Sequence, residues 1–290
     1  MPAAITTIDA HQNRYRRIRA EPVSGVVGAR VDDVDLAALD AETVGELRHA
    51  FAHHGVLVFP AQHLTPAQQV AFTRHFGEVE QHPLYRTATL PEQPEILVLE
   101  HKTGQFINGR NDVWHADITF AERPPLGSVL YCKDTRSGFG DTLFCSMGAA
   151  YEALSPGLRK LLDGLRAVHG AARMVARNNA QTYNLRIDDV PDEVVHPVVR
   201  THPETGRRML FVNPIYTLRF EGWTEAESQP LLDHLYAVAT RPENVYRHRW
   251  AVGDVVMFDN RALMHYVAVD YAPSVHRLMH RTTAAGDRPR

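Results

Sequence analysis

The residues best suited to chemistry are in Trp114-His115-Ala116-Asp117, and a third stands far downstream in Asp259-Asn260-Arg261-Ala262-Leu263-Met264-His265. Two imidazoles and one carboxylate can hold iron(II) on one face and leave its remaining positions for substrate and oxygen, so this set predicts an oxygenase. In an extended strand alternate side chains point the same way, which lets His115 and Asp117 chelate one ion. His265 must then arrive from a distant strand, as a closed or double-layered sheet allows. In a chain with 17 histidines, His-x-Asp alone is explained equally well by chance.

A second segment adds to the pattern. His276-Arg277-Leu278-Met279-His280-Arg281-Thr282 alternates like a strand and sets Arg277, Met279 and Arg281 on one face. Two guanidinium forks facing one way suit two separate anions. The competing reading is two exposed arginines paired with surface acids, the commoner fate of arginine.

With these residues in place, the chain from about Ile18 to its C-terminus resembles the taurine dioxygenase (TauD/TfdA) family of iron(II)/2-oxoglutarate-dependent oxygenases, which also contains aryloxyalkanoate dioxygenases and alkyl sulfatases. Gly138-Phe139-Gly140-Asp141-Thr142 matches its Gly-Asp-Thr segment, Asp259-Asn260-Arg261 its Asp-Asn-Arg turn, and His280-Arg281-Thr282 its closing His-Arg strand. The resemblance implies a mainly β chain with flanking helices, a double-stranded β-helix or jelly roll. It implies that His115, Asp117 and His265 bind Fe(II), and that Thr142 and Arg277 hold the distal carboxylate of the co-substrate 2-oxoglutarate, with O2 as second co-substrate. Arg281 would face an anionic substrate group, with His82, Tyr85 and Asn111 completing a sulfonate pocket. The implied reaction is hydroxylation, which for a sulfonate such as taurine releases sulfite and an aldehyde beside succinate and CO2. Asp117 argues against a halogenase, in which that carboxylate is absent.

The departures bear on the substrate. Where taurine-specific relatives carry two aromatic rings, this chain reads His169-Gly170-Ala171-Ala172 and Pro214-Ile215-Tyr216-Thr217, and only Tyr216 supplies a ring. A small residue at Ala171 predicts a larger pocket. The interval from His265 to Arg277, 277 − 265 = 12, is one longer than in the nearest taurine-type pattern, and Phe139 stands where the family often has glycine. An aryloxyalkanoate or alkyl sulfate is therefore the alternative substrate, and a catalytically silent binding protein on the same fold is the alternative from another class.

Composition narrows the remaining options. A chain of 290 residues with net charge −3 and pI near 6.6 has no basic footprint for nucleic acid beyond Arg14-Tyr15-Arg16-Arg17, which reads as a solvated arm. We expect an arm over residues 1–17 and a single domain over 18–290. No apolar run is long enough to span a bilayer and Met1-Pro2-Ala3-Ala4-Ile5 lacks signal-peptide character, so a cytoplasmic protein without membrane partners is expected. Cys132 and Cys145 are too few for a disulfide framework and read as small apolar strand residues. The expected partner is a small anionic organic molecule, with a second copy of the chain in a dimer or tetramer, as relatives often form.

The elements that must position these residues are legible by period. Val23 to Val31 and Gly55 to Phe59 read as strands around an amphipathic helix, Glu42 to His53, which buries Val44, Leu47, Ala50 and Phe51. Thr65-Pro66-Ala67-Gln68 and Thr224-Glu225-Ala226-Glu227 are capping-box helix starts, and Ser155-Pro156 opens another helix. Glu95 to Leu99, Leu126 to Cys132, Val194 to His202, Arg208 to Val212, Val245 to Trp250, Val255 to Phe258 and His276 to Thr283 read as strands, with a hairpin at Pro203-Glu204-Thr205-Gly206. Trp114 and Trp250 read as core. The polar stretch 173–192 shows no clear period and is a candidate lid over the site.

Overall fold

The structure, a computed structural model, describes residues 15–85, 88–102, 112–179, 193–270 and 274–290. Asn111 and residues 180–192 of the expected lid lie outside this set.

The chain opens with β1 (Arg19–Pro22), β2 (Ala29–Asp32), α1 (Ala41–His54), β3 (Val56–Phe59) and α2 (Pro66–Arg74). It continues through β4 (Val79–Glu80), β5 (Thr89–Leu90), β6 (Gln93–His101), β7 (Gly127–Asp134) and β8 (Thr142–Ser146). Next come α3 (Met147–Glu152), α4 (Pro156–Leu162), β9 (Arg166–His169), α5 (Ala172–Asn179), β10 (Val194–Pro197), β11 (Val199–Thr201) and β12 (Arg208–Leu210). The last elements are β13 (Thr217–Phe220), α6 (Glu225–Ala239), β14 (Val245–His248), β15 (Val255–Asp259), β16 (Leu263–Val267) and β17 (Arg277–Ala284).

Two sheets carry the architecture. The larger runs β1-β2-β3-β15-β7-β17-β6-β5, with β4 also on β17, and the smaller runs β14-β8-β16. A backbone bridge from His115 to His265 extends the smaller sheet beyond β16. Strands distant in sequence thus alternate between two facing layers, which is the expected jelly roll.

Period-two alternation explains why the central strands are buried on both faces. In β15, Val256 and Phe258 join Leu130, Cys132 and Met279 in the cluster that also holds Phe144 of the smaller sheet. Val255 and Met257, with Val129 and Tyr131, face the other way and pack under α1 and α2 against Leu47, Phe51, Phe72 and Phe76. A sheet covered on both faces tolerates unbroken apolar strands, hence the fully buried Val255–Asp259. The capping boxes at Thr65 and Thr224 form as expected. Gly55 ends α1 at φ 71°, a left-handed conformation that turns the chain directly into β3.

Some expectations are corrected. The single strand over Val23 to Val31 is instead the loop of the β1–β2 hairpin followed by β2, because Ser24 folds that loop by bonding Val27 through both its backbone groups. Val194 to His202 divides at Val198, whose N–H donates to Leu165. The first seven residues of the expected lid, 173–179, are helical, since α5 spans Ala172–Asn179. Val44 and Trp114 are only partly buried, whereas Trp250 is in the core. Arg16, Arg17 and Ile18 donate their backbone N–H groups to Glu46 of α1, so this end of the basic run is docked rather than a free arm. Both cysteines are buried, and burial pushes their thiols up to about 12. Among the described residues no helix is long and apolar enough to cross a membrane.

Behind the turn that leads into β16 lies a buried charge group. Arg261 grips Asp259 at 2.6 and 2.9 Å, and His202 meets the same carboxylate at 3.1 Å. Burial opposes ionisation of Asp259, but Arg261 and His202 hold its carboxyl well below the usual range. Removing one partner from such a pair strands a buried charge. We therefore expect Arg261→Ala to lower unfolding free energy by about 3–5 kcal/mol in urea denaturation. A loss under about 1 kcal/mol would contradict this account.

Candidate metal centre

The site begins with the backbone bridge. His115 N–H donates to the His265 carbonyl at 3.0 Å and His265 N–H returns the bond at 2.8 Å. This brings the two imidazole centroids to 4.1 Å. His265 therefore arrives from a distant strand, as expected, but the His-x-Asp segment is not a continuous strand. Only His115 is strand-paired, and the chain then turns, with Ile118 at φ 52°. The turn does not cost the shared orientation. His115 Nε2 lies 3.7 Å and His265 Nε2 3.9 Å from the same oxygen of Asp117, Oδ1.

These donors have the chemistry of a metal site. One ligand atom from each of His115, Asp117 and His265 lies within 4.8 Å of the others, and all three residues are buried. The Nδ1–H of His115 donates to the Val113 carbonyl at 2.7 Å, which reserves Nε2 for a metal. Burial keeps both imidazoles neutral, with His265 lowered further by His115, to about 3. Burial opposes the charge on Asp117, but the Arg281 guanidinium beside it holds its carboxyl well below its ordinary value. Two neutral imidazoles and an ionised carboxylate fit a divalent ion with open positions.

Arg281 is the second feature. Its Nη2 donates to Asp117 Oδ2 at 2.8 Å and its Nε to Ser128 at 3.2 Å. Its Nη1 reaches Oδ1 only at 3.4 Å, so the carboxylate is unequally shared, with Oδ2 in the closer ion pair and Oδ1 also facing the imidazoles. Part of the five-donor guanidinium is committed to Asp117, and its other N–H groups are what an anion would meet.

A cavity lies in front of these groups. Its polar lining is His82, Tyr85, His115, Asp117, Asn178 and Arg281, and its less polar lining is Leu97, Leu99, Val113, Met174, Ile215 and Tyr216. His82 Nδ1 accepts from the N–H groups of Leu84 and Tyr85, which leaves the ring hydrogen on Nε2. Tyr85 accepts a bond from Asn178 Nδ2 at 2.6 Å. Asn213 Oδ1 accepts from the N–H groups of Ile215 and Tyr216 and fixes that wall.

The structure therefore brings together seven of the ten residues expected from sequence: His82, Tyr85, His115, Asp117, Tyr216 and Arg281 line one cavity, and His265 joins His115 and Asp117 in the ligand cluster. Thr142 and Arg277 are buried but do not line it. Thr142 pairs with Val267, two residues from His265, and so shares its face of the smaller sheet. Arg277 shares the face of Arg281 four residues away, roughly 13 Å along a strand, too far for both to grip one small head group. Asn111 lies outside the described residues.

Two points were not foreseen. Ala171 does not line the cavity, because it packs in a buried cluster with Phe120, Met174, Val175 and Tyr216. The first turns of α5 occupy that space and supply Met174 and Asn178 to the wall. The aliphatic residues Leu97, Leu99 and Val113 were also missed, since strand periodicity marks burial but not which cavity a buried face borders.

The comparisons agree with this geometry. The family model for the taurine catabolism dioxygenase TauD, TfdA family matches residues 19–283. An alpha-ketoglutarate-dependent sulfate ester dioxygenase of Pseudomonas putida is 35% identical over 284 residues, covering 92% of this chain and 89% of that protein. An alpha-ketoglutarate-dependent 2,4-dichlorophenoxyacetate dioxygenase of Cupriavidus pinatubonensis is 36% identical over 283 residues, 92% of this chain and 98% of that protein. The crystal structure of AAD-2 in complex with Mn(II) and N-oxalylglycine superposes with a TM-score of 0.81 at 28% identity, covering 94% of this chain and 99% of the other.

A site already holding neutral imidazoles and a carboxylate has no proton to expel when a metal enters. Calorimetric titration with Mn(II) at pH 7, repeated in buffers of different ionisation enthalpy, should show release of fewer than about 0.3 protons per ion. Release of a full proton would mean that an imidazole is protonated in the metal-free site.

Proposed function

Since the chain belongs to the TauD/TfdA family and is an alpha-ketoglutarate-dependent dioxygenase using Fe(II), 2-oxoglutarate and O2, we propose that it hydroxylates an organosulfonate or sulfate ester bearing an apolar tail. The observation that carries this reading is the mixed lining of the cavity, in which a buried guanidinium and polar donors share the walls with six largely apolar side chains. Fe(II) with 2-oxoglutarate and O2 supplies the oxidation that turns a substrate C–H into C–OH, with 2-oxoglutarate leaving as succinate and CO2.

Each residue has an assignable part. His115, Asp117 and His265 hold the iron, and Thr142 and Arg277 take the distal carboxylate of 2-oxoglutarate. Arg281, His82, Tyr85 and Asn111 receive the substrate anion. The requirements differ, because Arg281 must keep Oδ2 of Asp117 while offering other N–H donors to the anion, which its fork geometry permits and a lysine would not. Leu97, Leu99, Val113, Met174, Ile215 and Tyr216 enclose the tail and exclude water, so that the reacting carbon is held in one pose.

The wall weighs against taurine itself. Among the described lining residues the only carboxylate is Asp117, which is already committed to Arg281 and the imidazoles, so an ammonium end would be buried without a counter-charge. A sulfate ester or alkanesulfonate has no such end. The similarity to the 2,4-dichlorophenoxyacetate dioxygenase favours an aryloxyalkanoate as the second reading, in which a carboxylate takes the head position.

Succinate formation with Fe(II), ascorbate, 2-oxoglutarate and O2 tests these readings. Burying even two of the four additional carbons is worth about 1.6 kcal/mol, so hexyl sulfate or hexanesulfonate should exceed taurine in kcat/KM by at least roughly tenfold. Taurine as the best substrate would overturn the apolar-tail reading, and phenoxyacetate as the best would establish the second. Asp117→Ala should form no substrate-dependent succinate. Equal activity of this variant and the wild type would contradict the ligand assignment.

A further inference from the structure

Asp117 is placed by a residue that is not one of the ligands. One residue after the backbone bridge at His115, the chain leaves the smaller sheet and turns, so the peptide groups of Asp117 have no neighbouring strand to pair with. Buried backbone groups must still be satisfied. The side chain of Asn260 does this for both. Its Oδ1 accepts the Asp117 N–H at 2.6 Å, and its Nδ2 donates to the Asp117 carbonyl at 2.9 Å. The second hydrogen of Nδ2 serves the Pro125 carbonyl at 3.2 Å, so the buried amide is fully used.

The geometry is that of a strand partner compressed into one side chain. A carboxamide presents a donor and an acceptor side by side, as a peptide edge does. Aspartate at this position would lose the donor, and glutamine would carry it one methylene too far. The clamp is itself anchored, because the Asn260 backbone N–H donates to Leu126 at 3.0 Å and its neighbours Asp259 and Arg261 form the buried ion pair. It grips the residue immediately before Ile118, whose φ of 52° a branched side chain adopts only when the surroundings impose it.

We propose that Asn260 is a positioning residue of the metal centre, and that its two bonds to the backbone of Asp117 hold the carboxylate where a divalent ion can use it together with both imidazoles. The inference rests on the reading of His115, Asp117 and His265 as metal ligands. It adds that metal affinity depends on a residue that touches neither metal nor substrate.

The test is calorimetric titration of the purified metal-free full chain with Mn(II), alongside thermal melting without metal. Asn260→Ala and the isosteric Asn260→Asp should bind Mn(II) about 10–100-fold more weakly than wild type. Asn244→Ala is the control, since Asn244 is another buried asparagine that donates to a backbone carbonyl, Val238, away from the site. It should lower the melting temperature and leave Mn(II) affinity within about twofold. If Asn260→Ala does not yield folded protein, Asn260→Asp carries the comparison. Wild-type affinity in a folded Asn260 variant overturns the inference, as does an equal loss in Asn244→Ala. Absence of Mn(II) binding by wild type overturns the ligand reading itself, and is thereby distinguished from failure of the clamp alone.

Discussion

The constraint on which the site depends is a buried carboxylate with a different task for each oxygen. Asp117 must stay ionised where burial opposes charge, and it does so because Arg281 stands 2.8 Å from one oxygen and 3.4 Å from the other, which also faces two imidazoles. Neither side suffices alone. Without the guanidinium the carboxyl would tend toward its neutral form, a poor ligand, and without a cation beside the imidazoles Oδ1 has only neutral rings and a long 3.4 Å contact from Arg281. With a divalent ion bound, ion, aspartate and arginine together carry a formal charge of +2, which matches the two carboxylates of the co-substrate 2-oxoglutarate.

The fold meets that constraint with two facing sheets. Backbone pairing of His115 with His265 fixes the imidazoles by the same hydrogen bonds that hold the smaller sheet together. Arg281 comes from β17 in the larger sheet, whose alternation also places Met279 and Arg277 on the inner face. The ion pair of Asp117 and Arg281 therefore spans the layers, and any slip of β17 by one residue would turn the arginines outward. The covered outer face, with α1 and α2 packed over Val255, Met257, Val129 and Tyr131, makes such a slip expensive.

Much of this was legible in the sequence, for identifiable reasons. The period of two in residues 276–282 located Arg277 and Arg281, and helix caps located α2 and α6 to within two residues. His115, Asp117 and His265 could be named from residue type and spacing, but their means of assembly could not. A turn that departs from the sheet after one bridged residue has no periodic signature, and a clamp made by an asparagine side chain 143 positions away is invisible to local pattern. The pocket wall failed for a related reason. Ala171 suggested space because it is small, but whether a gap is left empty depends on what else packs there, and α5 fills it with Met174 and Val175.

The most direct test of the account is a crystal structure of the Mn(II)-loaded protein, with the ion located by its anomalous scattering. The account predicts one ion bonded to His115 Nε2, His265 Nε2 and Asp117 Oδ1, with Arg281 still donating to Oδ2. An ion bound elsewhere, or one that draws both carboxylate oxygens away from Arg281, would contradict the unequally shared carboxylate on which the rest is built.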